Sequence, residues 1–295
     1  MKRTIGTRIF DIVNITIILI LCAMMLYPYL NQLAISFNDG RDTLLGGITI
    51  FPRVFTFENY RTIFKDPSIG SAFLISVTRT LLNVVFALFV TFSAAYAMTR
   101  KNLKGRKFFA RYFCIPAYLH AGLIPTYILY RYLGLINNYW VYVVPFGFTF
   151  YTFVILRSFI QEIPEALEES ALIDGANEIV VMFKIIMPLS LPALATVALW
   201  VAVGQWNDWT TTLYYITDSE LFPLQYVIMR IIKQGEQVKQ EALLAAMGAS
   251  QSKAVTTSES VKASMLIITS VPIIMVYPFL QKYFVKGVTL GAVKG

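Results

Sequence analysis

Six stretches of this 295-residue chain are apolar enough and long enough to cross a lipid bilayer, and that pattern removes most folds from consideration. A helix rising about 1.5 Å per residue needs roughly 20 residues to cross the hydrocarbon core. The segments at about 10–34, 70–98, 108–131, 139–160, 190–216 and 262–281 meet that length. They have to be helical, because lipid offers no partner to an unsatisfied backbone N–H or C=O. The expected fold class is therefore all-α: a polytopic membrane protein with six transmembrane helices in one domain over 1–295. Composition agrees, with 57% hydrophobic and 14% charged residues and a mean hydropathy of +0.62.

The charge pattern orients these helices. The net charge of +8 could suggest nucleic acid as a partner, but the basic residues sit in short clusters beside apolar runs. One holds Lys2, Arg3 and Arg8; another holds Arg100, Lys101, Lys104, Arg106 and Lys107. Such clusters mark cytoplasmic ends, so both termini are expected in the cytoplasm and no nucleic acid is implied. Segments 36–69 and 217–261 then fall outside. The apolar run from Ile9 to about Ala34 is too long for the core of a secretory signal and reads as a retained first span. Cys22 and Cys114 lie inside apolar segments with no evident task. His120, the only histidine, lies in the third span, where a packing donor and a proton relay are the two readings.

The segment 161–189 is cytoplasmic by this topology, yet it carries Glu162, Glu165, Glu168, Glu169, Asp174 and Glu178 against Lys184 alone. Something other than topology shaped it. Pro164 at a first helical position and acids in the first turn start a short helix. Leu167, Ser170, Ala171 and Asp174 share a narrow face of it, and Gly175 is a candidate to close it. A second short helix from about Ala176 is expected to bring Ile179, Phe183 and Ile186 to one face, until Pro188 and Pro192 interrupt it.

Glu169-Ser170-Ala171, three residues, Gly175, nine residues, then Ile185-Ile186-Met187-Pro188 resembles the EAA motif of ABC importer permeases, EAA-x3-G-x9-I-x-L-P. Ser170 and Met187 are the departures. Gly122 to Tyr127, Gly134-Leu135, Gln205-Trp206-Asn207-Asp208 and the ending Lys286 to Gly295 resemble the MalG-type carbohydrate permeases, and within them the LplC/YtcP branch, associated with fragments of complex polysaccharides. The resemblance implies a type I importer permease fold with a cytoplasmic coupling helix in a bacterial cell membrane. Glu169, Ser170, Ala171, Asp174, Gly175, Ile185 and Pro188 then form the surface that meets the ATPase. Gly291 and Lys294 belong to a tail, 282–295, that touches it too. The implied partners are a second homologous permease subunit, a cytoplasmic ATPase dimer, an extracellular sugar-binding protein and an oligosaccharide. No G-x-x-x-x-G-K-[ST] loop is present, so this chain is expected to hold no cofactor, and ATP and Mg belong to the ATPase. No catalytic or metal-binding cluster is apparent, so no enzyme activity is expected.

For a sugar path, polar and aromatic residues inside the spans are the candidates. On a continuous fifth helix Gln205, Asp208, Trp209 and Thr212 share one face, with Trp206 and Asn207 beside it. Arg79, about ten residues into the second span, either lines that path or fixes two spans through an ion pair or carbonyl contact. The tryptophans have a second reading as interfacial anchors. A stand-alone secondary transporter and a membrane-embedded enzyme are the rival functions. The EAA spacing argues against both.

Overall fold

A computed structural model describes residues 5–119, 121–233 and 257–292. Regular structure among them is helical, with one isolated bridge between Asn38 and Phe55. The chain forms two compact units, 1–69 with 228–271 and 70–227 with 272–295.

The first unit begins with α1 (Ile5–Ser36), whose apolar residues from Ile9 to Leu30 are largely exposed. A helix apolar on all sides needs lipid or another apolar surface. The segment that follows is ordered around one side chain. Asn38 Nδ2 donates to Asp42 and Thr43, and its Oδ1 accepts from the Arg53 and Val54 amides at 2.8 and 2.9 Å. This ties α2 (Gly40–Leu44) to the chain ahead of α3 (Glu58–Phe64). Asn59 on α3 donates to the Ser36 and Asn38 carbonyls. Ser264, on the last helix, donates to Ser36 O at 3.1 Å.

The second unit is built on α4 (Pro67–Thr99), 33 residues long. Its buried stripe runs through Ala72, Ser76, Arg79, Asn83, Ala87, Thr91, Ala95 and Met98, at the three-to-four spacing of one helix face. Then come α5 (Arg106–Tyr118), α6 (Leu123–Tyr132), the 3-10 turns Tyr139–Tyr142 and Val144–Phe146, and α7 (Phe150–Gln161). Next are α8 (Glu165–Ile173), α9 (Glu178–Val181), a π turn (Met182–Ile186), α10 (Met187–Leu189), α11 (Leu191–Asn207) and α12 (Thr210–Tyr215). A helical stretch α13 (224–233) precedes α14 (Ser258–Ala292), which runs through both units. Phe92, Tyr96, Phe153, Leu156, Val181, Ile186, Leu194 and Val197 form a core where α4, α7, α11 and the 178–189 helix meet.

The membrane pattern differs from six uninterrupted helices. Among the described residues three helices are long and apolar enough to cross, Ile9–Ser36, Pro67–Thr99 and Glu259–Val276. Two bent pairs raise this to five if each is one span: Tyr139–Phe146 with Phe150–Gln161 at 47°, and Glu178–Leu189 with Leu191–Asn207 at 80°. The expected third span, 108–131, is divided between α5 and α6. Pro116 lies in the last turn of α5, Leu119 is extended, and Gly122 takes φ +83°, a left-handed value that glycine adopts without a Cβ penalty. Hydropathy detects the apolar residues there but not the backbone turn. His120 lies outside the described residues. The sixth expected segment, 262–281, does not end before a separate tail, since α14 continues as helix to Ala292.

Candidate functional site

Two places on α4 draw the sequence-selected residues together. The first is mid-helix. The segment expected as a fifth span, 190–216, is not one helix: α11 ends at Asn207, Asp208 is extended, and α12 starts at Thr210. This corrects the expected continuous face of Gln205, Asp208, Trp209 and Thr212. A break leaves carbonyls without their usual helical donors, and inside a membrane they need others. Arg79 supplies them. Its Nη2 donates to Gln205 O at 2.6 Å and Asp208 O at 2.5 Å, and its guanidinium lies 4.9 Å from the Tyr142 ring centre. Nη1 is 3.7 Å from Asp208 Oδ2. The other Asp208 oxygen accepts from the Thr210 and Thr211 amides and the Thr210 hydroxyl, starting α12.

The same face of α4 serves the bent pair Tyr139–Phe146 and Phe150–Gln161. Asn83 donates to Val143 O at 3.2 Å and Thr91 to Gly147 O at 3.3 Å, both beside the bend before α7. Ser76 accepts the Leu224 amide at 2.8 Å. Gln205 Nε2 donates to Tyr142 O, and the Tyr142 hydroxyl bonds Thr212 and Leu221 O. Arg79, Gln205 and Trp206 are buried; Asp208 and Trp209 are half-buried, and Asn207 is exposed. Asn207 Oδ1 accepts from Gln225. Trp206 packs edge-on against Phe73 and borders a cavity of about 320 Å³ lined by Val77, Ala198, Ala202 and Pro272, with Thr80 its one hydroxyl. Ser76, Asn83, Thr91 and Tyr142 escaped the sequence reading. The spacing of small and polar residues along α4 was the available signal for the first three.

The second place is the Arg100 end of α4. Pro164 stands one position ahead of α8, as its N-cap. Glu168, buried, accepts from both terminal guanidinium nitrogens of Arg100 in a fork, Nη2 to Oε1 at 2.6 Å. Lys101 reaches Glu165 at 2.8 Å, which holds that carboxyl below its ordinary pKa. Arg100 also lies 4.4 Å from the Tyr96 ring centre, and the Tyr96 hydroxyl donates to Glu178 at 2.8 Å. Two of the six acids of this segment, Glu165 and Glu168, therefore pair with the basic turn that follows α4.

Gly175 closes α8 at φ +85°, with its amide on Leu172 O and the Ala176 amide on Ala171 O, the paired bonds of a Schellman cap. Asn177 then caps α9 through the Val180 amide. Glu169, Ser170 and Asp174 are exposed, as are Leu167 and Ile173, the last at 86%. Ala171 and Ile185 are half-buried against the core, and Pro188 is exposed. The second helix does not bury Ile179, Phe183 and Ile186 together. The π turn adds a residue to the period, so Val181 and Ile186 are buried while Ile179 and Phe183 remain exposed. Gly291 lies near the end of α14, and Lys294 lies outside the described residues.

A family model described as the binding-protein-dependent transport system inner membrane component matches residues 12–290. The chain belongs to this family. The transport component is 36% identical over 295 residues to protein LplC of Bacillus subtilis, covering 100% of this chain and 98% of that one. It is 32% identical to the polygalacturonan/rhamnogalacturonan transport system permease protein YtcP of Bacillus subtilis, covering 98% and 99%. A solved bacterial ABC transporter involved in import of the acidic polysaccharide alginate contains a chain of TM-score 0.85 and 26% identity, covering 96% of this chain and 99% of that one.

Proposed function

We propose that the chain is one permease subunit of an ATP-binding-cassette importer for oligosaccharides released from polysaccharides, taking substrate from an extracellular binding protein. The observation that carries this is the family match over 12–290 together with an exposed α8 held by Gly175 in the position of the EAA loop. Both compact units belong to one permease domain over 1–295. The N- and C-termini and the 161–189 loop are cytoplasmic, in the orientation the basic clusters favour.

Exposed Glu169, Ser170 and Asp174, flanked by Leu167 and Ile173, offer a small polar centre with apolar edges to a cytoplasmic ATPase dimer. That dimer binds ATP and Mg and performs hydrolysis, and the end of α14 with the tail through Lys294 meets it as well. A second, homologous permease subunit completes the path. Within this chain the path follows the break between α11 and α12. Asn207, Asp208 and Trp209 are accessible enough to reach a sugar, while buried Arg79, Gln205 and Trp206 hold the break in place. Interrupted helices also occur in secondary transporters, but those work alone. Vesicles containing this chain and its partner subunits should take up oligosaccharide only with both internal ATP and external loaded binding protein. Uptake driven by an ion gradient without them would overturn the proposal.

A further inference from the structure

The α8 helix is joined to the helices that cross the membrane by the chain on both sides, through residues 162–164 from α7 and onward to α11, by Ala171 packed on the core, and by polar side chains. The onward chain runs through α9, the π turn and α10 into α11. That route turns by 80° before α11, so a push on α8 does not travel along one axis. The polar attachment runs through side chains to α4. Arg100 stands one residue past α4 and grips Glu168 of α8 in the fork, while Tyr96, one turn earlier, bonds Glu178 of α9 at 2.8 Å. Arg100 stacks on Tyr96 at 4.4 Å, so the two attachments brace each other. Both halves of the loop are thus fastened to the last turn of one helix.

That helix is uninterrupted from Pro67 to Thr99. About 25 Å farther along it, at 1.5 Å per residue, Arg79 holds the carbonyls on both sides of the break between α11 and α12. Asn83 and Thr91 hold the bend before α7 on the same face.

We propose that α4 is the lever that carries displacement of α8 to the break between α11 and α12, with Arg100 and Tyr96 as its positioning residues at one end and Arg79 at the other. This rests on α8 meeting the ATPase. A lever fixed at both ends moves the break when α8 moves; a loosened fork lets α8 move while the break stays.

The test uses the full transporter in vesicles, reading substrate imported per ATP hydrolysed. Arg100→Gln and Glu168→Gln should each lower that ratio about five-fold or more with the ATPase subunits still bound, the scale of an ordinary coupling between sites. The exchange Arg100→Glu with Glu168→Arg should recover much of it. A wild-type ratio in Arg100→Gln, or an assembled exchange variant without recovery, overturns the lever. Should the Gln variants not assemble, Tyr96→Phe decides, since it removes only the hydroxyl bond to Glu178: a lowered ratio supports the lever and an unchanged one overturns it. Gly175→Val separates the two claims. If it uncouples while the α4 variants do not, only the lever fails; if it too imports normally, the coupling role of α8 fails.

Discussion

Arg79 and Arg100 belong to the same helical line yet hold different things. Arg79 is fully buried, and both of its hydrogen bonds go to backbone carbonyls of an interrupted helix. Arg100 keeps 23% of its side-chain surface and clasps a carboxylate on another helix. The difference follows from what each location lacks. Amid apolar helices the scarce commodity is a donor for loose carbonyls, and a guanidinium supplies several in fixed geometry. At the helix end water can solvate carbonyls, and a forked charge pair adds orientation between two elements instead.

Substituting each region should therefore break different things. The largest effect is expected for Arg79→Met, which leaves two carbonyls and the Asp208 carboxylate without their cation. A cost on the order of 3–5 kcal/mol should appear as loss of folded, assembled protein in detergent-resistance and size-exclusion measurements. Normal yield would show that the break supports itself. Next comes Gly147→Ala beside the bend before α7. Its Cβ would clash with the Phe86 ring, and displacing that ring should lower stability by about 1–3 kcal/mol.

Asp208→Asn should be milder, on the order of 1 kcal/mol, because asparagine keeps an acceptor for the Thr210 and Thr211 amides while removing the charge near Arg79. The transporter should assemble, and the stimulated ATPase should remain while uptake falls. Loss of assembly without altered uptake in surviving complexes would make Asp208 a purely structural residue. Lys101→Ala is expected to do least, since its partner Glu165 is exposed. Lys101 holds the Glu165 pKa low in the folded chain, so its contribution is present above the ordinary carboxylate pKa and fades as pH falls through the lowered value. A melting curve at neutral pH should be nearly unchanged, and the small wild-type advantage should vanish in acid.

The two regions also differed in how much the sequence revealed. Gly175 was legible as the end of α8 because a helix cap is local: the acids before it and the glycine after it are neighbours in the chain. Apolar length located the long helices for the same reason. The break between α11 and α12 was not legible. Nothing between Asn207 and Thr210 is proline or glycine, and the donor that makes an interruption there tolerable comes from Arg79, 126 residues before Gln205. The π turn was invisible because it follows from packing Val181 and Ile186 into a shared core, which no single spacing encodes. Arg79 itself stood out from the sequence, but the sequence could not say whether it faced a path or a carbonyl.

The central claim, that α8 couples this chain to ATP hydrolysis, is tested most directly by Gly175→Val in reconstituted vesicles. The added Cβ meets nothing within 4 Å, whereas φ +85° is strained for a β-branched residue by roughly 1–3 kcal/mol. The account predicts normal membrane insertion with ATPase stimulation and uptake both sharply reduced. Wild-type uptake at normal expression would contradict it.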